Sequence, residues 1–351
     1  MPAARQRLRD LGHVVGRFAP GPRNALVDVP GVRVGHATLS LDEPPVRSGV
    51  TAILPHDGNV YAEKLLGACH TVNGYGKPAG LSQLAELGTI ESPILITGTL
   101  SVGPVWEGGL RHVLGANPEA GRSGTVNVIV AECFDGWLSD ARGLHVRPEH
   151  ALAAIEAATE DDVAEGSVGA GTGTTCFGFK AGVGTSSRRT ESEPGHLLGA
   201  LAVANYGRRG DLHLLTGADP GEPGGEDPHG SVVVVLATDA PLSERQLGRL
   251  AKRAPFGLGR AGSIAAHPSG EYVLAFSTAQ RLSHAGQGHD ELRFLRDDSA
   301  TLRELFEMAG EATQEAVLNS LCVADAMDGR DGHRADAFPG ELLAQRLGST
   351  R

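Results

Sequence analysis

Apolar positions along the chain fall into two periods, and the alternation between them outlines a layered protein. From Asn24 to His36 apolar and polar residues alternate, the pattern of a strand, a turn and a second strand. Ser48 to Pro55 reads as another strand, stopped by its proline, with a polar loop from Leu41 to Arg47 before it. A glycine-rich stretch from Val72 to Ser82 leads into a short helical pattern through Leu84, Leu87 and Ile90. Ile94 to Thr97 and Val126 to Ala131 are compact apolar runs suited to buried strands, and Val105 to Leu114 between them has helical spacing. Glu149 to Thr159 is an alanine-rich helix. His196 to Asn205 forms a further strand.

The longest β-branched run opens at Ser231 and continues Val-Val-Val-Val-Leu-Ala-Thr238. After it, Ser243 and Gln246 have the spacing of a capping box, with Leu242 and Leu247 as the accompanying staple. Ser269 to Ser277 is a strand with a polar mouth, and Leu302, Leu305, Phe306, Ala309, Ala316 and Val317 predict a helix within 299–327. Strands and helices intermix without an internal repeat, so the fold class is α/β or layered α+β. Residues 1–23 read as a loosely ordered leader to a single domain over 24–351.

Composition narrows the partners more than the fold. The 31 Lys and Arg against 42 Asp and Glu give a formal charge of -11, without a basic cluster, which argues against nucleic-acid binding. No apolar segment has membrane-spanning length, and the N-terminus lacks the apolar run of a secretory signal. Cys69, Cys133, Cys176 and Cys322 are scattered, as thiols of a reducing compartment are, and a cytoplasmic protein is expected. Metal motifs are missing, and His36, His70 and His112 read as hydrogen-bonded scaffold, so neither metal nor cofactor is expected. The glycines of Gly169 to Ser187 follow a helix and continue as strand-like alternation, the reverse of a dinucleotide-binding order; strands lining a pocket account for them better.

The candidate chemistry starts at the loop that ends on Gly230. Glu222 to Gly230 is acidic and rich in proline and glycine, and Ser231 opens a buried strand directly after it. An isolated Gly-Ser is ordinarily a loop corner. A serine without an evident histidine base has one physical remedy, which is to become an N-terminus: an α-amine of pKa near 8 then sits on the same residue as the hydroxyl. Gly230 supplies the conformational latitude for the hydroxyl to reach the preceding carbonyl. Ser269 and Glu271, two apart at a strand start, can share one face and support the hydroxyl and amine of Ser231. Asn205 ends its strand with an amide suited to an oxyanion, and Glu132 closes the Val126–Ala131 run with a carboxylate able to meet a cation. Alone, each of these is an ordinary strand-end or turn residue.

Together with Val27-Asp-Val-Pro-Gly-Val-Arg-Val-Gly-His36, Val72-Asn-Gly-Tyr-Gly-Lys77, Gly184-Thr-Ser-Ser-Arg188 and Ala204-Asn-Tyr-Gly207, these residues resemble the self-processing aminopeptidases. That family is typified by L-aminopeptidase D-amidase/D-esterase and the β-peptidyl aminopeptidases, and the likeness runs from Asn24 to His333. The resemblance implies an αββα sandwich cut between Gly230 and Ser231 into an α chain 1–230 and a β chain 231–351. It implies Ser231 as nucleophile, Ser269 and Glu271 as its supporting pair, Asn205 as oxyanion donor and Glu132 as binder of the substrate ammonium. It implies short peptides, amides or esters with a free amino end as substrates, a homotetramer of αβ units, and no metal. Phe134 stands where some members place a tyrosine, so its ring brings no hydroxyl. Two alternatives stay open: an acyltransferase of ornithine-acetyltransferase-like architecture, whose nucleophile is threonine, and a non-catalytic binding protein of the same fold.

Overall fold

The computed structural model describes residues 5–215, 230–286 and 288–340. Most of the acidic span before Gly230 lies outside them. The first part of the chain forms β1 (Arg33–Asp42), β2 (Pro45–Leu54), β3 (Glu63–Gly74), α1 (Leu81–Leu87), β4 (Thr89–Ile90), β5 (Ile94–Gly98) and α2 (Val102–Ala116). Next come β6 (Ile129–Cys133), α3 (Pro148–Glu156), β7 (Thr175–Cys176), β8 (Phe179–Lys180), β9 (Val183–Arg189) and β10 (Leu197–Asn205). The last part contains β11 (Ser231–Thr238), α4 (Glu244–Ala251), α5 (Ala254–Ala261), β12 (Gly270–Ser283) and α6 (Ala300–Cys322).

These elements stack in four layers. A four-stranded sheet of order β1-β2-β5-β6 faces a six-stranded sheet of order β4-β3-β12-β11-β10-β9. Between the sheets lie Ile94, Ile96, Ile129 and Ala131 from one and Val233, Val235 and Leu274 from the other. On the outer side of the six-stranded sheet, Val232, Val234 and Leu236 meet Leu247, Leu250, Leu302 and Leu305 of α4 and α6. On the outer side of the four-stranded sheet, Val50, Leu95 and Val130 meet Val105, Val113 and Ile155 of α2 and α3. The fold is an αββα sandwich, and both faces of β11 are covered, which is why it is an unbroken apolar run.

The alternation along β11 decides what faces where. Odd positions enter the gap between the sheets and even positions enter the helical layer. The capping box forms as the spacing predicts: Gln246 N donates to Ser243 Oγ (3.2 Å) and Ser243 N to Gln246 Oε1 (3.0 Å).

Several local expectations are corrected. Residues 5–23 are seated rather than loose, with Leu8, Val15 and Phe18 buried. Leu8 N donates to Asn319 Oδ1 (3.0 Å), and Arg9 pairs with Glu315 (2.7 Å) of α6. Glu315 also holds the wholly buried Arg188 (2.6 Å), so the polar N-terminal stretch completes a buried ionic cluster whose partners lie about 300 residues away in sequence. The polar loop expected from Leu41 to Arg47 is a tight hairpin in which Asp42 pairs with Pro45. The segment from Asn24 holds a short 3-10 turn (Leu26–Asp28), and its strand starts only at Arg33. The strand expected over Val126–Ala131 runs instead over Ile129–Cys133, because β6 takes its parallel register from β5, with Ile94 opposite Ile129 and Gly98 opposite Cys133. Glu132 is therefore inside the strand.

Candidate active site

Ser231 is the first residue of β11. It lies opposite Asn205, the last residue of β10, and beside Gly270, the first of β12. Three strand ends thus meet at one edge of the six-stranded sheet. Being an odd position, Ser231 turns its hydroxyl into the gap between the sheets. There the N–H of Phe134, which directly follows β6, donates to Ser231 Oγ at 2.9 Å. Asn205 Nδ2 approaches the same oxygen at 3.5 Å. The Asn205 amide cannot turn over freely, because its Oδ1 accepts the Thr175 N–H (2.9 Å). Thr175 begins the β7–β8 hairpin, and the wholly buried Lys180 at the end of that hairpin donates to Gly171 O (3.2 Å). Two fixed N–H donors therefore converge from different layers on the Ser231 oxygen, beside the space that the oxygen of a carbonyl under its attack would occupy as it becomes negative.

Ser269 and Glu271 come together elsewhere. Ser269 Oγ and Ser263 Oγ both donate to Glu271 Oε1, at 3.1 and 3.2 Å. Glu271 is paired with Val232, an even position, and so belongs to the helical face of the sheet. The expectation that this pair polarises the Ser231 hydroxyl is corrected by that alternation: on its own face of the sheet the hydroxyl meets the Phe134 N–H, the Asn205 amide and the Cys133 thiol. The pair lies instead beside the Gly230–Ser231 peptide. A Cβ on Gly230 would come 3.1 Å from Ser269 Oγ, 3.1 Å from Tyr206 Cβ and 3.2 Å from Asn205 O, so no larger residue fits there unshifted. Burial pushes the Glu271 carboxyl above its ordinary range, and the two serine hydroxyls pull it part of the way back.

Glu132 is buried at the other end of the site. Its Oε1 accepts the Lys77 N–H (3.0 Å) and its Oε2 accepts the Thr99 hydroxyl. A carboxylate offers about four acceptor positions, so capacity for a cation remains. Gly76 keeps the space open: a Cβ there would lie 2.9 Å from Glu132 Oε1, 2.8 Å from the Tyr272 hydroxyl and 2.6 Å from its ring. Burial and then the Glu132 charge raise the Tyr272 phenol above its usual value, keeping it protonated. Gly76 lies in the Val72–Lys77 stretch that bears the family likeness, without a role of its own there, and Tyr272 faces the gap only because it alternates with Glu271.

Asp135 follows Phe134 and is buried, accepting Ser48 Oγ at 2.5 Å; burial pushes its carboxyl up to about 6. Among the described residues no group of three or more His, Cys, Asp and Glu could hold a metal, the cysteines are unpaired, and no helix is long and apolar enough to cross a membrane.

A family model for peptidase family S58 matches residues 24–335. The chain belongs to peptidase family S58. This S58 chain is 39% identical over 363 residues to the β-peptidyl aminopeptidase BapA of Sphingosinicella microcystinivorans, covering 95% of this chain and 89% of the relative. Among solved structures it is similar to the PH0078 protein of Pyrococcus horikoshii OT3, with 45% identity, a TM-score of 0.93, and 98% and 99% of the two chains covered. It is also similar to the L-aminopeptidase D-Ala-esterase/amidase of Ochrobactrum anthropi, a prototype serine aminopeptidase with a variant Ntn hydrolase fold. That likeness has 32% identity, a TM-score of 0.89, and 97% and 99% of the chains covered. The S58 protein is thus a hydrolase of peptide bonds with an Ntn-type layered fold.

Proposed function

We propose that this peptidase is a self-processing aminopeptidase, amidase and esterase that removes the N-terminal residue of short peptides, amides or esters, β-residues included. The observation that carries this reading is the convergence of the Phe134 N–H and the Asn205 amide on Ser231 Oγ, immediately after Gly230. In the first turnover Ser231 Oγ attacks the Gly230 carbonyl carbon, the peptide C–N bond breaks as an ester forms, and water hydrolyses that ester. Ser231 is left with a free α-amine of pKa near 8, close enough to neutrality to take the hydroxyl proton. The amine emerges beside Ser269 and Glu271, whose carboxylate holds and orients it. In later turnovers Glu132 binds the substrate ammonium, Ser231 Oγ attacks the acyl carbon, and the oxyanion is met by Phe134 N–H and Asn205 Nδ2. The Ser231 ammonium returns its proton to the leaving amine, and water releases the acyl group. The Phe134 ring lines the approach without donating a hydrogen bond.

The acidic chain with free thiols suits a reducing cytoplasm, and four αβ units per particle are expected. Denaturing electrophoresis with N-terminal sequencing tests the reading. A second band beginning Ser-Val-Val-Val-Val, absent from Ser231→Ala together with anilide hydrolysis, supports it. A permanently intact chain that still splits aminoacyl anilides overturns it.

A further inference from the structure

The carboxylate of Glu271 is held by hydroxyls on a loop, residues 263–269, that is itself irregular. Ala265 there has a φ of +48°, a left-handed conformation that costs a non-glycine residue about 1–2 kcal/mol. Its internal ties are few: Ala265 N donates to Ser263 Oγ (3.2 Å) and Ser269 N to Ala266 O (2.9 Å). Something outside the loop must keep Ser263 and Ser269 aimed at one oxygen.

Asn73, near the end of β3, is placed to do this. It is the cross-strand partner of Glu271, yet its amide passes that carboxylate by. Asn73 Nδ2 instead lies within hydrogen-bonding distance of three loop carbonyls: Ser269 O (2.6 Å), His267 O (3.0 Å) and Ala266 O (3.1 Å). An –NH2 has two hydrogens, so the three acceptors share them, and the loop is drawn around a single side chain. The pairing explains the reach. Asn73 pairs with Glu271 but Thr71 with Tyr272, leaving Val72 as an extra residue on β3. A bulge of this kind bends its strand and re-aims the neighbouring side chain.

We propose that Asn73 is a positioning residue for the reaction: it clamps residues 263–269 so that both serine hydroxyls converge on Glu271 and that carboxylate stays beside the Ser231 amine. This rests on the reading that Ser269 and Glu271 serve that amine. Without the clamp the hydroxyls part from Glu271, their opposition to the effect of burial is lost, and it holds its proton to a higher pH. Among the described residues, the other groups facing Glu271 are the Tyr206 phenol and the Cys176 thiol, both pushed upward by burial, and Arg208 and Asp211 across a small cavity.

The test uses the full chain bearing Asn73→Ala or Asn73→Ser, with rates on aminoacyl p-nitroanilides normalised to the self-cleaved fraction measured by mass. In Asn73→Ala, kcat should fall by about 100-fold, the scale of a small misplacement of catalytic groups. KM should stay within about twofold, as for an interaction made in the transition state. The lower break in the acidic limb of the kcat profile, set by Glu271 beneath that of the Ser231 amine, should move to higher pH, and Asn73→Ser, retaining one donor, should fall between Ala and wild type. Should the Ala variant fail to fold, the Ser variant alone decides by the same break. A lower break that coincides with wild type, or a loss carried by KM, overturns the proposal. Glu271→Gln in the same assay separates the two readings. If it leaves the lower break in place, the assignment of Glu271 fails. If it removes that break while both Asn73 variants keep the wild-type one, only the clamp fails.

Discussion

Removing the amide of Asn205 probes the proposed oxyanion site most directly, and the geometry allows its cost to be divided. At rest Nδ2 stands 3.5 Å from Ser231 Oγ, a long contact that contributes little until charge develops. Its loss should therefore lower kcat and leave KM nearly unchanged. Loss of one such donor costs about 3–4 kcal/mol of transition-state stabilisation, or roughly 100–1,000-fold in kcat. Asn205 does a second job, since its Oδ1 accepts the Thr175 N–H at 2.9 Å. Asn205→Ala deprives that N–H of its acceptor, a loss of about 1–3 kcal/mol in folding stability where water does not replace it. Asn205→Asp keeps the acceptor, removes the donor, and places an anionic oxygen near the nucleophile. Both variants should lose kcat; the Ala variant should melt earlier at any pH, and the Asp variant only where its buried carboxylate is ionised. The assay is steady-state hydrolysis of an aminoacyl p-nitroanilide by the processed chain, paired with thermal unfolding. A kcat for Asn205→Asp within about threefold of wild type would refute the oxyanion assignment.

Two further outcomes follow from the same site. Gly76→Ala would place a Cβ 2.9 Å from Glu132 Oε1 and 2.6 Å from the Tyr272 ring, filling the ammonium space. KM for amine-bearing anilides should rise by about tenfold or more, equivalent to 1.4 kcal/mol, while an ester lacking the amine is unaffected; equal effects on both would count against Glu132 as the ammonium binder. Asp135, pushed by burial from an ordinary 3.8 up to about 6, holds a proton in the folded state that the unfolded chain releases. Its contribution to stability is complete below about pH 4 and is lost as pH rises to about 6, a change of about 3 kcal/mol. Urea midpoints of Asp135→Asn should lack that part of the decline; parallel profiles would show that Asp135 does not titrate in this window.

What could be read from the residues depended on how local the cause was. The Val232–Val235 run and the Ser243–Gln246 box act within a few residues, and both declare themselves in the chain. The seating of residues 5–23 depends on Glu311 and Glu315 of α6, and no local pattern announces a partner that far away. The spacing of Ser269 and Glu271 brings the two together, but the face they occupy is set by the register of β11 against β12. Phe134 drew attention for the hydroxyl its ring lacks, whereas its backbone N–H is what meets Ser231. A main-chain donor has no side-chain signature, so such a role emerges only once β6 is seen to end opposite β11.

The order of the six-stranded sheet bears on how the enzyme could be made and kept. Strands β3 and β10 precede Gly230 and strands β11 and β12 follow it, so the later pair is wedged between strands of the earlier piece. A break at that glycine would leave each product holding its neighbour through full ladders of main-chain bonds, and neither could leave without tearing open the middle of the molecule. Separately expressed halves should accordingly be insoluble or unfolded alone, and a mature particle should survive dilution as one body until the whole sandwich melts.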